Sequence, residues 1–156
     1  MPYIVDGNNV MGQTPGWHRD KDRSRFELLK QLAAFARLRR VRVTVAFDGA
    51  PDRKFPEGSA FKGIQILYAR RGSSADDRIV ELVESSKDPR GITVVTSDRQ
   101  LGLRVRQRGA SVLRSGEFRR QMESAVHSPK QPLAKSEPAA EDLEGWLRYF
   151  GAEPDD

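Results

Sequence analysis

The sequence predicts a three-layer α/β domain built around a mainly parallel sheet of about five strands. Three observations lead to this prediction: short apolar segments alternate with amphipathic helical segments, most connections are short, and several apolar segments end in an aspartate. Such alternation favours a parallel sheet with helices on both faces and right-handed crossovers. The chain has 156 residues, of which 37% are hydrophobic, so one domain with its own core is expected.

The first half of the chain contains two predicted strands and one long helix. Residues 3–6 form a short apolar run, and the GNN that follows them is typical of a loop. Residues 23–39 place leucine, alanine and phenylalanine on one face of a helix, with charged residues on the other face. Residues 41–47 alternate and are rich in valine, which predicts a second strand that ends at Asp48.

The second half repeats the alternation after a long basic loop at residues 49–62, which holds two glycines and two prolines. The predicted elements that follow are a strand at 63–69, a helix at 75–86, a strand at 92–96, a helix at 99–108, a strand at 110–113 and a helix at 116–126. Together these segments define a predicted domain over residues 1–126.

The C-terminal segment differs in composition from this domain. Residues 127–140 contain three prolines and no periodicity, which predicts a flexible linker. Residues 141–156 are predicted to form a short amphipathic helix with an acidic tail. The apolar stripe of this helix consists of Leu143, Trp146, Leu147 and Phe150. We expect the stripe to dock on its own domain, to swap into a neighbouring chain or to bind another protein.

Charge and composition narrow the class of partner. The net charge is +5, but residues 137–156 carry seven acids and one arginine, so that segment is −6 and residues 1–136 are +11. A body this basic favours RNA or another polyanion. The chain has no cysteine, which excludes disulfides and thiolate chemistry. With no signal-like N-terminus and no apolar run long enough to span a bilayer, a cytoplasmic protein without membrane contact is expected.

Four aspartates are the candidate functional residues. Asp6, Asp48 and Asp98 follow predicted strands, and Asp76 lies at the start of a predicted helix. The carboxyl ends of parallel strands share one edge of the sheet, where α/β folds bind ligands. Clustered carboxylates repel one another unless a cation neutralises them, and oxygen ligands suit Mg²⁺ or Mn²⁺. Taken singly, Asp98 is also a good helix N-cap, and Asp48 before glycine is common in turns.

The helical periodicity separates Asp76 from its neighbour Asp77. Asp76 precedes Ile79 and Val80 by three and four residues, so it is expected on the buried face in the first helical turn. Asp77 is rotated by about 100° from that face. We therefore predict Asp76 as a metal ligand and keep Asp77 and Asp48 as further candidates.

Other chemistries find less support in the sequence. Both histidines, His18 and His127, lie in predicted loops, and neither a GxSxG nor a phosphate-binding glycine motif is present. A phosphoacceptor receiver-like domain would also place acids at strand ends. It would require a lysine after the fifth strand, where this chain has Arg114 and Ser115.

Four motifs carry the candidate acids in order along the chain: VDGNNV, FDG, SADDRIVELV and VVTSDRQL. Together they resemble the NYN domain of the PIN-like nuclease superfamily, and within it the YacP-like group of bacterial endoribonucleases. The resemblance covers residues 2–126. It implies a PIN-like Rossmannoid fold and metal-dependent cleavage of RNA. It matches Asp6, Asp76 and Asp98 to the acidic catalytic positions of the family and Asn9 to its catalytic asparagine. It also makes messenger RNA and the ribosome candidate partners. Two positions depart from the pattern: Asn8 replaces an aromatic residue, and Asp77 replaces a frequent glutamate.

Basic residues near the expected edge of the sheet complete the prediction. The candidates for contact with RNA phosphates are Arg53, Lys54, Arg70, Arg71 and Arg99. Phe55 and Phe61 in the long loop are candidates either for stacking on unpaired bases or for anchoring the loop to the core. The leading hypothesis is a Mg²⁺- or Mn²⁺-dependent endoribonuclease, and the alternative is a non-catalytic RNA-binding module with the same fold.

Overall fold

The computed structural model describes residues 2–127, which form a six-stranded sheet covered by helices on both faces. The strands are β1 (Pro2–Asp6), β2 (Arg42–Phe47), β3 (Ala60–Phe61), β4 (Ile64–Tyr68), β5 (Thr93–Val95) and β6 (Ser111–Leu113). The helices are α1 (Gly7–Met11), α2 (Lys21–Arg39), α3 (Ala75–Glu84), α4 (Arg99–Gln107) and α5 (Ser115–His127). Within these residues no helix is long and apolar enough to cross a membrane. The predicted C-terminal helix and, beyond His127, the predicted linker lie outside the described residues.

The strand order is β3-β4-β2-β1-β5-β6, and every pairing is parallel except that of β3 with β4. The predicted three-layer α/β fold with a mainly parallel sheet is therefore confirmed. From β1 the chain builds the sheet outwards through β2 and β4, and then returns to the other side of β1 to form β5 and β6. This reversal between β1 and β5 is a topological switch point, where ligands of open α/β sheets bind beyond the carboxyl ends of the strands.

The two faces of the sheet bury two separate cores, because successive side chains of a strand point in opposite directions. Val5 of β1 packs in the core beneath α2 and α5, together with Phe35 and Phe118 from those helices. Ile4 packs in the other core, with Ile79 of α3 and residues of α4. The alternation of side chains along β1 therefore determines which layer of helices each residue of the strand packs against.

The GNN segment after β1 forms a helix, so the prediction of a loop there was wrong. α1 begins directly at Gly7, and the glycine is buried against the ring of Phe47. A Cβ atom at this position would lie 2.5 Å from two carbon atoms of that ring. Glycine is therefore required by the close approach of α1 to β2, and this contact lies between residues forty positions apart in sequence.

We expect Gly7→Ala to lower the free energy of unfolding by about 1–3 kcal/mol, since the new methyl group must displace the Phe47 ring or the helix. Gly102→Ala is the matched control. Its Cβ would lie 3.7 Å from Val112, which is ordinary contact, and alanine favours the interior of α4 by up to about 1 kcal/mol. Urea unfolding of both variants should show opposite shifts. Equal shifts would contradict the packing role of Gly7.

The predicted long loop after β2 is present, but it ends in a hairpin that the sequence did not reveal. Strands β3 and β4 are joined by Lys62 and Gly63, whose φ angles of 48° and 90° fit the two-residue turn of tight hairpins. The hydroxyl of Tyr68 in β4 donates to the Phe55 carbonyl at 2.6 Å and holds the loop. A two-residue strand is too short to show the alternation that predicts longer ones.

Candidate active site

The alternation of side chains along the strands brings the acids together. Ile4, Ala46 and Val94 all point into the core beneath α3 and α4. The residues two positions later, Asp6, Asp48 and Thr96, continue on the same side at the carboxyl edge of the sheet. The first turns of α3 and α4 begin at that edge, and they supply Asp76 and Asp98. The acids thus lie around the switch point, and we call the surface between them the acidic crevice.

Asp6 is the buried member of the group, with 4% of its surface exposed. The hydroxyl of Thr96 donates to its Oδ2 at 2.9 Å, and the nearby backbone N–H of Asn9 also favours the ionised carboxylate. Burial raises the pKa of Asp6 from 3.8 to about 6. The Thr96 hydrogen bond opposes this rise, whereas the negative charges of Asp76 and Asp48 add to it. Because burial and the neighbouring negative charges disfavour the ionised form of Asp6, a nearby cation would stabilise its carboxylate.

Asp76 is half-buried and faces the other acids, as its place on the inner side of the α3 helix predicts. Burial raises the pKa of its carboxyl group, and the nearby negative charges of Asp98 and Asp48 raise it further. Arg104 partly offsets these charges. Among residues 2–127, Asp6 and Asp76 are therefore the two acids whose pKa is raised by both burial and neighbouring carboxylates.

Asp98 and Asp48 also cap helices. The sequence predicted this role for Asp98, whereas for Asp48 it suggested only a turn. Oδ1 of Asp98 accepts hydrogen bonds from the backbone N–H groups of Gln100, at 2.8 Å, and Leu101, at 3.2 Å. Oδ1 of Asp48 accepts from the backbone N–H of Ala75 at 2.9 Å, at the start of α3. Each carboxylate has a second oxygen besides the capping one, and capping fixes where that oxygen lies.

Asp77 has different partners, although it is adjacent to Asp76. Its Oδ2 accepts from the Ser73 hydroxyl at 2.8 Å, and its Oδ1 accepts from Arg104 at 3.0 Å. The hydrogen bonds from Ser73 and Arg104 lower the pKa of this exposed carboxyl group. Since its charge is already compensated, Asp77 has less need of a cation than Asp76.

The side chains of Asn8 and Asn9 connect α1 to residues at the carboxyl edge of the sheet. Oδ1 of Asn8 accepts from the backbone N–H of Asp48 at 3.0 Å. Oδ1 of Asn9 accepts from the backbone N–H of Ser97 at 2.9 Å and from the buried hydroxyl of Ser115. The two amides therefore hold together the strand ends on either side of β1. The resemblance placed Asn9 among the catalytic residues, and the structure shows its side-chain oxygen in this bracing arrangement.

Two residues near the acids were not predicted from the sequence. Thr96 bonds to Asp6 and also accepts from the backbone N–H of Asp98 at 3.1 Å. Arg25 of α2 is buried between the rings of Phe47 and Tyr68, and it donates to the Asp48 carbonyl at 2.9 Å. A signal for Arg25 was available, because it precedes the apolar residues Leu28 and Leu29 by three and four positions.

The predicted RNA-binding residues are all exposed, but their surroundings differ. Arg70 forms an ion pair with Glu81 at 3.1 Å, while Arg53, Lys54 and Arg71 lie in the loops that precede α3. Arg99 follows Asp98 directly. Phe55 and Phe61 are partly buried, pack on each other and on Phe26, and border the core beneath α2, which supports the anchoring interpretation.

The donor set fits a hard divalent cation that retains water ligands. Among residues 2–127 no group of three or more acidic or histidine side chains converges closely enough to enclose a metal. Mg²⁺ commonly binds through one or two carboxylates, with water and substrate phosphate completing its shell. Burial and the neighbouring carboxylates both raise the pKa of Asp6 and Asp76, and a bound cation would offset these effects.

A mainly parallel α/β sheet with carboxylates at its switch point is the arrangement of a ligand-binding α/β domain. The sequence pattern of the YacP-like NYN domain matches residues 3–147, and the chain belongs to this family. Membership of this family indicates a nuclease-type, RNA-related fold. The resemblance predicted from the four motifs is thereby confirmed.

Solved structures agree with this assignment at the level of the fold. The crystal structure of Rae1 (YacP) from Bacillus subtilis has a TM-score of 0.66 at 22% identity, covering 97% of this chain and 92% of that chain. A mutant of the same protein gives a TM-score of 0.65 at 24% identity, covering 80% of this chain and 75% of that chain. No curated protein matches the sequence.

Proposed function

We propose that the protein is a metal-dependent endoribonuclease that hydrolyses phosphodiester bonds in single-stranded RNA. The observation that carries this proposal is the crevice between β1 and β5, where Asp6 and Asp76 both have a raised pKa beside further carboxylates. Family membership supports RNA as the substrate. The resemblance adds messenger RNA on the ribosome as a candidate substrate, and we place the activity in the cytoplasm.

The residues of the crevice have separate roles in this proposal. Asp6, Asp76 and Asp98 would hold Mg²⁺ or Mn²⁺, either directly or through its water ligands, and Asp48 and Asp77 are further candidates. A bound cation would stabilise the charge that develops at the phosphate during hydrolysis.

The remaining residues of the site would position these acids and the substrate. Thr96 keeps the Asp6 carboxylate in one orientation, and Asn9 holds the ends of β1 and β5 in register. Basic residues in the flanking loops, Arg53, Lys54 and Arg71, would contact phosphates without reading the bases.

The adjacent pair Asp76 and Asp77 provides the direct test. We expect Asp76→Asn to reduce cleavage of single-stranded RNA in Mg²⁺ or Mn²⁺ by at least about 100-fold, or about 2.7 kcal/mol of transition-state stabilisation. Asp77→Asn removes the same charge from the next residue and weakens its exposed contacts with Arg104 and Ser73. Because Asp77 is the weaker candidate for a metal ligand, this variant is the comparison for Asp76→Asn. Its cleavage rate should stay within about tenfold of the wild-type rate.

The outcome also separates the two functions considered from the sequence. If wild type and Asp76→Asn cleave equally, the acidic crevice is not the catalytic site. If wild type binds RNA with strong salt dependence but turns over nothing in either metal, the protein is the non-catalytic RNA-binding module instead.

A further inference from the structure

A cleft of about 420 Å³ lies beside the acidic crevice, at the carboxyl ends of β5 and β6. Thr96 and Asp98 form the side of the cleft that borders the acids, and α4 and the end of β6 form its other walls. Because Thr96 also donates to Asp6, the cleft and the crevice share a wall. A strand lying across the acids would continue into this cleft.

The arginines near and along α4 divide into two groups. Arg104 and Arg108 form ion pairs with Asp77, at 3.0 Å, and Glu84, at 2.6 Å, which attach α4 to α3. Arg99 and Arg106 lie seven residues apart, which is close to two helical turns, so they share another face of the helix. That face lines the cleft.

The arginines of the cleft have no acidic partner within residues 2–127. Arg99, Arg106 and Arg114 are all exposed, and none forms an ion pair with a carboxylate in this part of the chain. Asp98 is the single acid that lines the cleft, and its Oδ1 is occupied by the N–H groups at the start of α4. Three positive charges against one negative charge make this surface complementary to an anion.

We propose that this arginine cleft, defined by Arg99, Arg106 and Arg114, binds backbone phosphates of the RNA strand on one side of the bond that is cleaved. This inference rests on the proposed function, because it names how that substrate is held. Guanidinium groups bind phosphate oxygens through paired hydrogen bonds, and contacts of this kind position a strand without selecting its sequence. Leu103, which is 56% exposed in the same cleft, offers apolar contact to a sugar or base.

The test compares two double variants that each remove two positive charges. Arg106→Gln with Arg114→Gln alters the cleft, whereas Arg108→Gln with Arg120→Gln alters arginines paired to Glu84 and Glu117. Binding of a fluorescent single-stranded RNA is titrated at several salt concentrations in chelator, so that cleavage does not interfere. Since the four arginines are on the surface, melting curves should show both variants folded.

We expect the cleft variant to bind RNA about tenfold more weakly at low salt, and the salt slope of log K to become shallower by about 1.4, or about 0.7 for each lost phosphate contact. The control variant should stay close to wild type. Equal losses in the two variants would mean that only net charge matters, and an unchanged cleft variant would show that RNA bypasses the cleft; either result overturns the proposal.

The same proteins separate this inference from the proposed function. Cleavage by wild type in Mg²⁺ or Mn²⁺ with an unchanged salt slope in the cleft variant would refute the arginine cleft alone. A reduced slope without any cleavage by wild type would support the cleft and refute the catalytic function.

Discussion

Asp6→Asn is expected to abolish RNA cleavage and, at the same time, to make the protein more stable at neutral and alkaline pH. Asp6 is buried, and its negative charge is repelled by those of Asp76 and Asp48. Its charge therefore opposes folding, even though the proposed site requires it. Asparagine removes the charge and keeps an oxygen that can accept from Thr96. A cleavage loss of at least about 100-fold together with a higher melting temperature would show that Asp6 serves activity at a cost in stability.

The sign of the stability change follows from proton binding. The unfolded chain has an Asp6 pKa near 3.8 and the folded chain a pKa of about 6, so between these values the folded state binds more protons. The stability contributed by protonated Asp6 is therefore present below pH 3.8 and lost as the pH rises towards 6. A pKa raised from 3.8 to about 6 corresponds to about 3 kcal/mol. Urea unfolding should show Asp6→Asn more stable than wild type at pH 8, with little difference at pH 4.

A divalent cation provides an independent readout on the same two proteins. Because a cation that binds the folded acids stabilises the folded state, Mg²⁺ or Mn²⁺ should raise the free energy of unfolding of wild type at pH 8. Asp6→Asn should respond much less. If the variant proves less stable than wild type at pH 8, Asp6 supports the fold rather than straining it, and the interpretation of its raised pKa fails.

Local patterns account for the part of the site that could be predicted from the sequence. The two-residue period of a strand places Asp6 on the side of Ile4, and the helical period places Asp76 on the side of Ile79. Both are properties of a few consecutive residues. These local patterns were sufficient to predict the parallel sheet and the placement of both acids at one edge of it.

Contacts between distant residues account for what could not be predicted. Asn9 bonds to Ser97 and Ser115, which lie 88 and 106 positions further along the chain, and no local pattern carries that information. Gly7 was taken as a loop residue because its contact with Phe47 exists only after α1 packs on β2. Asp98 can serve both as a helix cap and as a site residue. One of its oxygens caps α4, and the residue still lines the cleft beside the acidic crevice.

Asn9 therefore provides the second large expected effect, on stability. Asn9→Ala removes the acceptor of both the Ser97 N–H and the Ser115 hydroxyl, and Ser115 is completely buried. A buried donor left without a partner costs about 1–3 kcal/mol, so we expect a loss of about 2–4 kcal/mol in the free energy of unfolding. Asn9→Asp, which keeps the acceptor oxygen, should lose less through these two bonds, although it adds a charge near Asp6.

Ser115→Ala completes a double-mutant cycle with Asn9→Ala. If the hydroxyl of Ser115 acts through Asn9, the double variant should lose less stability than the sum of the two single losses. Cleavage measured well below the melting temperature then separates bracing from catalysis. A stable Asn9→Ala protein that has lost all cleavage would assign the asparagine to the chemistry, as the family resemblance implies. A destabilised protein with residual cleavage would show that Asn9 serves the site by holding the ends of β1, β5 and β6 together.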